Sequence, residues 1–164
     1  MVCVRKHKPP ANFGLYCRQS NQILAFPAFD TGEPMSEEIP AKPYTIVYES
    51  YPNYLYALVH GEEYGYDVLS GFLREIADEC KKRGFKQVLI EENISATASQ
   101  EDVFRIASEL PDLGFADIRM AYIDRFLEQK ELNEFGHDVA VDHGVDVQIF
   151  GDIESANNWL SRSK

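Results

Sequence analysis

The sequence has no run of about 18 apolar residues, the length an apolar helix needs to cross a bilayer. Its longest apolar stretch near the start, Ile23 to Phe29, is interrupted by Pro27 and has no basic lead directly before it, so neither a membrane span nor a signal peptide is expected. Cysteine is scarce. Cys3, Cys17 and Cys80 form an odd set at wide spacing with no Cys-x-x-Cys pair, which argues against a disulfide scaffold or a zinc site and for reduced thiols in the cytoplasm. Positive charge is short as well: 16 Lys plus Arg stand against 27 Asp plus Glu, a net charge of −11. A surface of that sign repels phosphate backbones, so nucleic acid is not an expected partner. Gly-x-Ser-x-Gly, a Walker loop and Gly-x-Gly-x-x-Gly are all missing. No enzyme class is signalled, and no cofactor or metal is expected.

What is present suits one globular domain: 164 residues, 45% hydrophobic and 26% charged. The charge is uneven, with +2 over residues 1–34 and −13 over the rest. Residues 1–43 also hold six of the eight prolines and show neither a strand nor a helix period, which reads as a poorly ordered N-terminal extension. Met35 opens a Met-Ser-Glu-Glu segment, so the first 34 residues read either as a flexible tail or as sequence upstream of a start codon. The folded domain is expected over 44–161.

From Tyr44 the pattern becomes regular. Tyr44–Glu49 and Tyr54–Val59 are rich in aromatic and β-branched residues around the turn Tyr51-Pro-Asn53, a predicted hairpin. Tyr66, Leu69, Leu73, Ile76, Ala77 and Cys80 recur at helical spacing up to Gly84. Val88-Leu-Ile90 is continuously apolar, as in a central strand covered on both faces. A polar loop from Asn93 to Gln100 leads to a helix capped at Ser99, with a Val103, Ile106, Ala107, Leu110 stripe ending at Pro111. A strand over Ile118–Ile123, a helix marked by Leu132, Phe135 and Val139, a strand over Val145–Ile149 and a helix capped by Asp152 follow. That last helix carries Ile153, Ala156, Trp159 and Leu160. The predicted order is β-β-α-β-α-β-α-β-α: an α/β fold with a mixed five-stranded sheet packed with helices.

Several groups carry residue types suited to chemistry. His137, Asp138, Asp142 and His143 hold metal-ligand residue types, but the histidines are six apart on one helix and point in different directions. A solvated helix end is expected there. Glu91 and Glu92 sit toward the carboxyl end of the central strand, the edge where α/β folds gather ligands, so they mark a candidate pocket edge. Their side chains must alternate, so at most one lines any given pocket, and a solvated strand end is the plainer expectation. Cys80, on an apolar stripe, reads as an inert buried thiol, and His60 as a structural histidine. Seven of nine tyrosines fall between residues 44 and 66. Tyr44, Tyr48, Tyr54, Tyr56, Tyr64 and Tyr66 are a candidate contact surface or, equally, packing beneath helices.

The element order and the residues Gly61, Val88-Leu-Ile-Glu-Glu92, Phe135, Val139-Ala140, His143-Gly144-Val145, Val147, Ile149-Phe150-Gly151-Asp152, Ala156 and Trp159-Leu160 together resemble the SpoIIAA-like proteins, relatives of the STAS domains of anti-sigma-factor antagonists. The resemblance spans about residues 44–161. It implies a small, non-catalytic cytoplasmic module that binds a protein partner, another copy of itself or a small apolar ligand, the last as in the architecturally similar CRAL-TRIO domains. It also implies a phospho-switch at the start of the helix after the third strand, where Ser95, Thr97 and Ser99 stand. The Asp-Ser-Ser/Thr-Gly signature is absent, and Glu91, Glu92, Glu101 and Asp102 crowd the place with like charge. Read from the residues alone, Ser99 caps the helix and the other two hydroxyls face water.

Overall fold

Two strands built from aromatic and β-branched residues lead residues 42–162, the part of the chain the computed structural model describes. The expected extension over 1–43 lies outside the described residues except for Lys42, which ion-pairs with Glu75, and Pro43. β1 (Tyr44–Ser50) and β2 (Leu55–Gly61) form the predicted hairpin, with Ser50 opposite Leu55 and Tyr44 opposite Gly61. Then come α1 (Tyr66–Arg83), β3 (Gln87–Ile94), α2 (Gln100–Leu110), β4 (Arg119–Asp124), α3 (Lys130–Asp142), β5 (Val147–Ile149) and α4 (Ile153–Leu160).

The strands lie side by side in chain order, β1 antiparallel to β2 and the remaining pairs parallel. Right-handed crossovers are the rule, and three successive steps in one direction place α1, α2 and α3 on the same face of the sheet. There Leu69, Phe72, Ile76, Ile106, Leu110 and Ala140 pack on Leu55, Val59, Val88, Ile90 and Met120. α4 follows the last strand and covers part of the other face, where Ala156 and Leu160 meet Leu89, Ala121 and Ile123. β3 is thus flanked by strands and sealed on both faces, the reason its sequence runs apolar without alternation.

Local signals operate as anticipated. Gly84 ends α1 at φ 79°, a left-handed conformation open to glycine, and its N–H reaches back to the last turn. Ser99 Oγ accepts from Asp102 N at 3.1 Å and Asp152 from Ser155 N at 2.7 Å, capping α2 and α4.

Four expectations change. The polar loop is shorter than 93–100, because Asn93 and Ile94 extend β3 and Gln100 opens α2. Winding does not stop at Pro111: a wide turn over Pro111–Phe115 follows, since proline lacks a donor but fits the first position of a helical turn, and Gly114 at φ 113° ends it. β5 retains only Val147–Ile149 of the strand expected from Val145. Ile153, assigned to the buried stripe of α4, is 42% exposed because the helix rests on Ala156 and Leu160.

Candidate functional site

Consecutive residues on a strand point to opposite faces, so Glu91 and Glu92 part company inside β3. Neither is solvated, contrary to expectation: Glu91 is 1% and Glu92 0% exposed. The reason is that β3 runs on to Ile94, which places both within the covered centre of the sheet. Glu91 emerges on the α4 face, where it accepts a hydrogen bond from Tyr56 Oη and pairs with the Arg125 guanidinium. Glu92 emerges beneath α1–α3, where the phenols of Tyr64, at 2.6 Å, and Tyr122 both donate to it.

The two carboxyls are stabilised differently. Glu91 has a cation. Glu92 has phenols and, opposite it in the β3–β4 register, another acid, Asp124. Burial pushes the Glu92 carboxyl up to about 7, and the charge of Asp124 adds to the rise, against the two phenolic hydrogen bonds that oppose it. Burial and the nearby Glu92 hold the Tyr64 and Tyr122 phenols well above the ordinary tyrosine range, so both remain protonated donors. Asp124 is itself engaged, accepting from Phe126 N and from Asn133 Nδ2, each at 2.7 Å.

Tyr64 and Tyr122 also line a cavity of about 90 Å³ between the sheet and the helices. Its walls are apolar: Leu69 and Leu73 from α1, Val103, Ile106, Ala107 and Leu110 from α2, Ala140 from α3, Met120 and Val147 from the sheet. Its polar end is formed by Tyr64, Tyr122, Asn133 and His137. Gly136 sets its width, because a Cβ there would lie 2.8 Å from Val103 Cγ1 and force α3 away from α2. Asn133, His137 and Ile149 continue into an open groove with Asp124, Phe126, Lys130 and Phe150, at the carboxyl ends of β4 and β5.

The remaining sequence candidates disperse. Tyr44 and Tyr48 pack on the three-helix side with Tyr64 and Tyr66, while Tyr54 and Tyr56 face the α4 side, so the six do not form one surface. The antiparallel register explains the split, placing Tyr48 opposite Ala57 rather than Tyr56. Ser95, Thr97 and Ser99 are all exposed between β3 and α2, and Ser99 serves as the cap. Cys80 is buried with its thiol pushed up to about 12 by burial. His60 shares a 3.0 Å hydrogen bond with Asn93, a structural role. His137 Nδ1 lies 3.0 Å from the Asp138 carboxylate and His143 Nδ1 2.8 Å from the Val139 carbonyl. Among the described residues no group of three or more His, Cys, Asp or Glu is gathered for a metal ion, and no helix is long and apolar enough to cross a membrane.

Tyr122, Asp124 and Asn133 were not singled out in the sequence. A signal existed: Tyr122 and Asp124 continue the core-facing alternation of Met120 on β4, so polar groups occupy inward positions just where parallel strands end. No protein-family model and no curated protein matches the sequence.

Proposed function

We propose that the protein is a non-catalytic binding module that takes a small apolar molecule between its helices and its sheet. The carrying observation is the apolar cavity that ends on two phenols bound to a buried carboxyl. A mostly apolar recess with a few convergent polar groups and a carboxyl displaced toward neutral pH is the ordinary form of a small-molecule site. The cavity runs from Met120 and Val147 at the starts of β4 and β5 to the groove at their carboxyl ends, the edge where α/β sheets bind ligands. Within the SpoIIAA-like resemblance, the CRAL-TRIO-like use of an α/β fold is the part that this cavity supports. The test is native mass spectrometry of the purified chain together with NMR titration by benzene, a probe that enters dry apolar cavities. Saturable shifts at residues lining the cavity are expected. The absence of both benzene binding and any retained small molecule overturns the reading.

A second reading, a cytoplasmic protein-interaction module regulated by phosphorylation, is favoured by the exposure of Ser95 and Thr97 in the β3–α2 loop. Phosphate at either residue, found in protein from its native cells, together with altered partner capture by Ser95→Asp or Thr97→Asp at unchanged melting temperature, supports it. Unmodified hydroxyls and normal capture by both variants reject it.

A further inference from the structure

We propose that the cavity receives a small apolar amine, bound as its ammonium ion, and turns away anions of the same shape. This rests on the ligand-binding reading above and names the ligand class. The hydrogen bonds at the polar end decide what a ligand meets there. Tyr64 and Tyr122 commit their hydroxyl hydrogens to Glu92, and each phenol oxygen keeps a lone pair. His137 has Nδ1 beside the Asp138 carboxylate, an acceptor only, so the Nδ1 hydrogen is committed to Asp138. Asn133 donates one amide hydrogen to Asp124 and keeps a second, along with its oxygen, so it suits either kind of head group.

Charge agrees with this inventory. Glu92 and Asp124 lie opposite one another behind this end, held by Tyr64, Tyr122 and Asn133, while the lining includes neither lysine nor arginine among the described residues. Arg125 is engaged with Glu91 on the other face of the sheet, and Lys130, in the adjoining groove, with Glu134 at 3.6 Å. A carboxylate or phosphate head would meet phenol lone pairs with two acids behind them and no lysine or arginine in the lining to receive it. A primary ammonium brings three N–H donors to those acceptors, beside phenol rings that attract cations. A neutral alcohol brings one donor. The cavity's 90 Å³ restricts the apolar body to a few carbons within the walls, with the open groove for anything longer.

The test is an NMR titration of the full chain with n-butylamine, n-butanol, sodium butyrate and benzene at physiological salt. Butylamine is expected to shift the Ala107 and Ala140 methyl signals saturably and to bind at least about tenfold more tightly than butanol, with no saturable binding of butyrate. Ala107→Leu and Ala140→Leu each fill the cavity without changing charge, and loss of butylamine binding in either separates the cavity from the acidic surface. Intermolecular NOEs to the two methyls make the same distinction in the unmodified protein. Glu92→Gln should shrink the preference for amine over alcohol at least about fivefold. Butanol or butyrate binding as tightly as butylamine, or butylamine binding that survives a filled cavity, overturns the inference. Benzene binding without butylamine binding removes the ammonium alone, whereas failure of all four probes removes the ligand-binding reading as well.

Discussion

The two faces of the sheet deal with a buried acid in opposite ways. On the α4 face, Glu91 is covered but lies close enough to the margin for Arg125, 56% exposed, to reach it from solvent. Under the three helices the partners of Glu92 among the described residues are phenols, with Asp124 for a neighbour, and its proton affinity rises. A carboxylate deprived of water either finds a cation or takes up a proton, and access from the rim decides which. The face with one helix leaves room for a long cationic side chain. The face with three leaves an apolar recess.

The largest contrast between the faces should appear in truncation of their aromatic residues. Phe72 on α1 is fully buried against the sheet, and Phe72→Ala should cost roughly 3–5 kcal/mol by denaturant titration. Trp159 on α4 is only partly buried, tilted against Phe150 and with the Arg119 guanidinium 3.8 Å over its ring. Trp159→Ala should therefore cost less, roughly 2 kcal/mol. Equal losses would show the two faces to be packed alike.

The second contrast is in pH. Folding lifts the Glu92 carboxyl from the ordinary 4.5 to about 7, so between those values the unfolded chain releases a proton that the native state keeps. The native state binds more protons there. The contribution of Glu92 to stability is accordingly full below about pH 4.5, falls as pH rises to about 7, and stays low above it. Relative to Glu92→Gln, the unmodified protein should lose on the order of 3 kcal/mol across that window. A difference between the two that stays flat from pH 4 to 8 would mean that Glu92 is ionised in the fold.

The smallest effect belongs to the other acid. Arg125→Gln removes the cation from Glu91, and because solvent reaches the vacated place the cost should be about 1–2 kcal/mol. A loss of 4 kcal/mol or more would show the Glu91 face to be as dry as the Glu92 face.

Much of the frame was legible in the residues. The caps at Ser99 and Asp152 and the stop at Gly84 are local hydrogen-bond and backbone effects, and each stands where its residue type placed it. The α1 stripe was legible too, except Phe72, which widens it. The site was half legible. The sequence places Glu91 and Glu92 on a strand near its carboxyl end, but their burial depends on how far β3 continues, and the run Val88–Ile90 does not say that. Of the two readings of the tyrosines, packing beneath helices holds for Tyr44, Tyr48, Tyr64 and Tyr66, while Tyr54 and Tyr56 take the other face, because the pairing of Tyr48 with Ala57 sets the facing.

By itself the sequence determined the order of strands and helices, their caps, the separation of Glu91 from Glu92 onto opposite faces and the net charge of −11. All of these follow from neighbours within one turn or one pleat, or from simple addition. Only the tertiary structure decided that Tyr64, from the segment between β2 and α1, and Tyr122, from β4, meet on one carboxyl, and that Arg125 falls to the other. Those encounters join residues 28, 30 and 34 positions apart, and they exist because parallel pairing aligns Glu92 with Asp124 and three helices close over one side of the sheet. No local period carries that information. It resides in the order of the strands and in which face each helix covers.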